Sequence, residues 1–227
     1  MNINNENLKG RRIIWQVIHL LLIMIVSWIL FGDGLQTMSF WFGKSWFPGD
    51  LTRRILLFTT SFILFLRWGL TNFCLLKRKM SWIEIIVVSI ELSLIHFSYS
   101  ILGGQVTNPV GIIEFIGITL FVIGSYLNTG SEIMRLKWKK DPQNKGNIYD
   151  QGLFKYSMHI NYFGDVVWAS GMALISGSTW IFLIPLYMSF GFIFMHIPRL
   201  DKYLKERYGI QYEAYARKTK KLIPFVY

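Results

Sequence analysis

Apolar residues fall in long runs along this chain, and the polar ones gather between the runs. Six runs stand out, at about 13–31, 55–76, 82–103, 110–130, 162–176 and 179–198. Several approach or exceed the roughly 18–20 residues that a helix needs to cross a bilayer. The pattern predicts an all-α fold, a polytopic membrane helix bundle of about six (six to seven) transmembrane helices. A stretch within 34–50, reading MSFWFGKSWF, is aromatic and interfacial. We read it as a re-entrant or surface piece, because a seventh crossing there would break the charge alternation described next.

Lysine and arginine fall in blocks. Three lie in the N-terminal tail (Lys9, Arg11, Arg12) and three follow the second run (Lys77, Arg78, Lys79). Six follow the fourth run, from Arg135 to Lys155, and eight lie between Arg199 and Lys221. The alternate connections hold only Lys44, Arg53 and Arg54. That alternation orients a multi-pass protein with both termini in the cytoplasm. It points to a membrane location, the inner membrane if the source is bacterial. The first run is too long for a secretory leader and lacks a small-residue cleavage site, so it reads as a retained span.

Composition agrees. Of 227 residues, 52% are hydrophobic and 16% charged, more apolar than soluble domains of this size. The net charge of +11 sits in the inter-span blocks and gives no reason to expect nucleic acid. One cysteine, Cys74, excludes an internal disulfide, and the four histidines are scattered, so no metal site is expected. The sequence carries no signal for oligomeric state.

Ionisable groups inside spans are costly and by default face a site. Here they are Arg67, Glu84, Glu91, Glu114 and Asp165. Glu84 and Glu91 share a helical face that continues toward Tyr99, with His96 nearby. A buried protonated acid and a tyrosine can together donate hydrogen bonds to a substrate carbonyl. Equally, the acids can pair with Arg67 or a neighbouring helix and only hold the bundle together. At the end of the fourth run, Asn128, Glu132, Arg135 and Lys139 follow i, i+4, i+7, i+11 spacing, a stripe suited to an anionic cofactor at the membrane surface. Snorkelling cations are the alternative for the lysines. Near the C-terminus, Tyr203, Tyr208, Tyr212, Tyr215 and Arg217 suit either a nucleotide clamp or an interfacial aromatic belt.

The polar stretch between these regions carries a resemblance. Asn144, Gly146, Gly152-Leu153-Phe154, Tyr156-Ser157, His159, Asn161-Tyr162-Phe163-Gly164-Asp165, Trp168, Gly171 and Ala173-Leu174 are similar to the steroid 5-alpha-reductase-like membrane enzymes. The closest likeness is to their compact DUF1295 group. The ending, with Tyr212, Tyr215 and Leu222-Ile223-Pro224-Phe225, looks like the same family's close. The likeness covers about 120–227 and implies a single integral membrane domain over 1–227. Within it, 1–110 would form the lipid-substrate side and 111–227 the cofactor-binding region.

The resemblance also implies NADPH-dependent reduction of a carbon–carbon double bond in a steroid-like or other lipid-soluble substrate. It places Asn128, Glu132, Arg135, Lys139, Tyr156, His159, Asn161, Asp165, His196, Tyr212, Tyr215 and Arg217 at the cofactor. Glu84, Glu91 and Tyr99 are the expected catalytic residues, chosen by bundle logic. Relatives read arginine, proline and glutamate where this chain has Met158, Ile160 and Asp165, which removes one cationic contact with phosphate. The rival is a membrane methyltransferase of the isoprenylcysteine or phospholipid type using S-adenosylmethionine, whose signature is related. A third alternative is a non-catalytic lipid-binding protein.

Overall fold

The computed structural model describes residues 3–227, with side chains described from Lys9 onward. Among them the ordered elements are helical. They are α1 (Ile3–Phe31), α2 (Gly34–Phe42), α3 (Leu51–Leu70), α4 (Trp82–Ser98), α5 (Ile112–Ser125), α6 (Ser131–Lys140), α7 (Ile160–Ser176), α8 (Leu183–Gly191), α9 (Ile197–Tyr208) and α10 (Ile210–Lys218). Wide π-type turns at Thr71–Leu75, Tyr99–Gly103, Tyr126–Gly130 and Phe192–His196 extend or join these helices.

Among the described residues, five continuous helical stretches have the length and hydropathy to cross a membrane: Lys9–Phe31, Leu51–Leu75, Trp82–Gly103, Ile112–Lys140 and Thr179–Tyr208. Large apolar side chains on them are exposed, Ile83 at 75% and Ile112 at 80%. Surfaces of that kind are covered by lipid in a membrane protein. The chain is an integral membrane protein. The fourth and last stretches run on past their apolar runs into charged helix, α6 and α9, which the hydropathy pattern did not delimit. The run at 162–176 does form a helix, α7, but its 17 residues rise only about 25 Å, less than the ~30 Å hydrocarbon thickness. Helix α2, at nine residues, is a surface piece with Phe40, Trp41 and Phe42 exposed.

Local chemistry sets the helix ends. Asp50 caps α3 by accepting from Arg53 N at 2.8 Å. Ser81 caps α4 by accepting from Glu84 N at 3.1 Å, the serine-to-glutamate spacing of a capping box.

The chain divides into two compact units. The N-terminal unit takes residues up to Gly117 together with Met172–Ile181; the C-terminal unit takes Ile118–Gly171 and Phe182–Tyr227. In the N-terminal unit the side chain of Arg53 is buried. It donates to Glu114 Oε1 at 2.8 Å, to Ile175 O at 2.6 Å and to Asn108 O at 3.1 Å. Glu114 also accepts from Gly111 N at 2.7 Å. Arg54 donates to Leu30 O at 2.7 Å. So two of the three basic residues in the first connection are structural ties. Glu114 pairs with Arg53 on another helix, as the structural alternative for the acids allowed.

Candidate functional site

The site is built in the C-terminal unit. Helix α6 carries Glu132, Arg135 and Lys139, and the start of α7 carries Asn161. Between them the chain turns through short 3₁₀ turns at Pro142–Asn144 and Gly152–Lys155. Close approach of the backbones fixes the two helical segments. A Cβ on Gly124 would lie 2.3 Å from Trp168 N, and one on Gly164 would lie 2.5 Å from Asn128 N. Only glycine permits that contact.

A small recess opens here. Arg135, Lys139, His159, Asn161, Tyr208 and Tyr215 supply its polar groups, and Tyr149, Phe154, Met158 and Leu204 much of its apolar wall. Asn161 is held from two sides. Its side-chain amide donates to Glu132 Oε1 at 3.1 Å, and its carbonyl accepts from Asn128 Nδ2 at 3.2 Å. Glu132 is also ion-paired to Arg135, whose guanidinium lies 5.5 Å over the Phe154 ring. Tyr149 packs on Trp138 and on Phe154, with ring centroids 5.2 and 5.6 Å away.

The C-terminal segment closes one side. Tyr215 Oη donates to Phe154 O at 2.6 Å. Met158 N and His159 N donate to Lys220 O and Lys221 O at 2.8 and 2.9 Å. Ser157 Oγ donates to Leu222 O at 2.8 Å. Burial, followed by the charges of Asp201 and a hydrogen bond to it, pushes Tyr212 up to about 12. Burial likewise raises Tyr215 well above the ordinary phenol range. Both are therefore neutral hydroxyls at physiological pH.

Five of the residues expected at a cofactor line this recess: Arg135, Lys139, His159, Asn161 and Tyr215. Asn128 and Glu132 stand behind them and hold Asn161. Tyr212 is buried against Met158 and Tyr215. The other four sit elsewhere. Tyr156 is 40% exposed and faces Phe225, 5.9 Å away. Asp165 accepts from Trp168 Nε1 at 2.8 Å. His196 packs on Phe192 and Tyr162, and Arg217 is exposed on α10.

Of the expected catalytic residues, Glu84 is ion-paired with Arg78 in the first turn of α4. Glu91 is half-buried and Tyr99 fully buried. Tyr99 lies 15 residues beyond Glu84, or about 22 Å along a helix, so the two cannot share one carbonyl oxygen. His96 instead pairs with His19, Nε2 to Nε2 at 3.2 Å.

Sequence reading missed Asp201, a buried carboxylate with Oδ1 2.9 Å from His159 Nε2 and Oδ2 2.9 Å from Lys221 Nζ. It stands 42 residues from His159, and no local spacing betrays such a pair.

Residues 67–219 match the model of a family described as a protein of unknown function, DUF1295. The chain belongs to the DUF1295 family. It is also similar to curated proteins. Over 93 residues it is 38% identical to the probable O-methyltransferase ustE of Ustilaginoidea virens, covering 40% of this chain and 32% of that protein. Over 112 residues it is 31% identical to 3-oxo-5-alpha-steroid 4-dehydrogenase 1 of Bos taurus, covering 48% of this chain and 41% of that protein. The matched stretches thus span less than half the length of these relatives. One relative is named for a dehydrogenase reaction and the other for methyl transfer, so similarity by itself leaves both chemistries in view for this family member.

Proposed function

We propose that this DUF1295 protein is a membrane-embedded reductase. It uses NADPH to reduce a carbon–carbon double bond in a hydrophobic, steroid-like or other lipid substrate. The observation that carries the reading is the recess of the C-terminal unit, where two cations, an amide, an imidazole and a phenol converge among aromatic walls. A dinucleotide is too polar for lipid, and a recess that mixes cations and hydrogen-bonding groups with aromatic walls suits its charged and planar parts. Arg135 and Lys139 would hold phosphate, Asn161 would orient the nicotinamide amide, and the rings of Phe154 and Tyr149 would exclude water. NADPH supplies the hydride when bound, while the residues of this chain orient it. The named similarity to a steroid dehydrogenase supports the same reading. Glu91 and Tyr99 remain the proposed acid and tyrosine on the substrate side.

A second reading is supported by the higher identity to the O-methyltransferase-named protein. In it the recess would hold S-adenosylmethionine. Thermal stabilisation of the detergent-solubilised protein by NADPH, NADH and S-adenosylhomocysteine separates the two. A ligand present at about a hundred times its dissociation constant adds about 2.7 kcal/mol. Stabilisation by NADPH that is lost in Asn161→Ala is the expected result. Stabilisation by S-adenosylhomocysteine alone would overturn the reductase reading.

A further inference from the structure

The recess contains a buried relay that the reductase reading does not use. His159 lines it and is 1% exposed. The ring is fixed in plane, edge and backbone. Tyr162 stacks on it at 5.7 Å with planes 11° apart. Its Nε2 faces Asp201 Oδ1 at 2.9 Å, and its backbone N–H donates to Lys221 O at 2.9 Å. A carboxylate only accepts, so Nε2 carries the ring proton. Lys221 Nζ, 2.9 Å from Asp201 Oδ2, already balances the carboxylate charge. Nothing there calls for a second cation.

The ring nitrogen left over is Nδ1. In a ring protonated at Nε2 it is a bare acceptor. Phosphate oxygens gain nothing from an acceptor, and Arg135 and Lys139 already serve them. A hydroxyl does gain. We infer that Asp201 is a positioning residue: through His159 it presents Nδ1 as the acceptor for a ribose hydroxyl of the bound nucleotide. The inference rests on the recess holding a nucleotide. It applies to a nicotinamide dinucleotide and to S-adenosylmethionine alike, since both carry ribose.

The test compares calorimetric affinities of the full chain in detergent for NADPH and for analogues with a single ribose hydroxyl replaced by hydrogen. A site built around a hydroxyl rejects the ligand lacking it. The parent should bind NADPH about tenfold more tightly than one of these analogues, as the loss of one hydrogen bond predicts. That preference should vanish in Asp201→Leu and His159→Phe. It should largely return in Asp201→Asn, whose amide oxygen still accepts from Nε2 and whose shape keeps the packing. A purely structural role would weaken both ligands together and leave their ratio unchanged. A parent that binds both equally, or a ratio that survives in His159→Phe, overturns the inference while leaving the reductase reading standing. If only S-adenosylhomocysteine binds, the reductase reading fails, and the same ratio taken with its deoxyribose analogues decides the relay. If neither nucleotide binds, both are overturned.

Discussion

The strongest single-residue dependence lies at Arg53. Its guanidinium is buried, and Glu114 neutralises it at 2.8 Å. Removing one partner strands the other charge, a loss of about 3–5 kcal/mol for a buried pair. Arg53→Met should therefore lower the melting temperature sharply, and adding Glu114→Gln should recover part of it, because the stranded carboxylate is gone. Gly177 belongs to the same cluster. It sits at φ +69°, and a Cβ there would lie 2.6 Å from Arg53 Nη1. Gly177→Ala should cost more than the roughly 1 kcal/mol of an ordinary glycine replacement at positive φ, read as a shift in the same melting curve. A control alanine at Gly10, inside α1 where a Cβ meets nothing within 4 Å, should leave the curve in place or raise it, since alanine is the better helix former.

At the scale of elements, the wide turns matter more than the helix count. A π-type turn inserts an extra residue into the register, and such turns gather at functional positions. The one at Tyr126–Gly130 explains why the stripe read from Asn128 to Lys139 divides. Arg135 and Lys139 reach the recess, while Asn128 turns to the Asn161 carbonyl. The crossing of Gly124 and Gly164 holds that arrangement in place. Gly164→Leu should push α7 off the preceding helical segment and abolish stabilisation by whichever nucleotide the parent binds. Lys139→Ala, which removes one recess charge and no packing contact of comparable size, should weaken nucleotide binding and leave the melting temperature of the unliganded protein in place.

For the whole molecule, two consequences follow from charge. We propose that the basic blocks set residues near 79 and 145 on one side of the membrane and residues near 44 and 108 on the other. Single cysteines introduced there should react with a membrane-impermeant reagent from opposite faces, in a Cys74→Ala background. Reaction of 44 and 145 from the same face would reject the proposed orientation. The second consequence is the alkaline limit of the C-terminal unit. Tyr212 and Tyr215 have folded pKa values raised above the unfolded value of about 10, Tyr212 to about 12. A proton held more tightly in the folded state stabilises it fully below the unfolded pKa. That contribution is lost as pH rises through the folded one. The unit should thus be insensitive to these groups below about pH 10 and lose stability toward pH 12, followed by phenolate absorbance alongside the melting temperature. Tyr212→Phe should blunt the loss.

By itself, the sequence determined the membrane-spanning helical class. Long apolar runs and segregated cations are properties of the chain read in order, and lipid imposes them without reference to partners. It also marked Arg135, Lys139, His159, Asn161 and Tyr215, because helix and loop spacing plus a family-like motif are local. Tertiary structure alone decided where buried charges go. Arg53 and Glu114 are 61 residues apart, and His159 and Asp201 are 42 apart. It also split the polar stripe at a π-type turn. A buried charge takes the partner that packing brings within about 3 Å, and strength at that distance depends on geometry and desolvation, neither of which leaves a periodic trace in the chain.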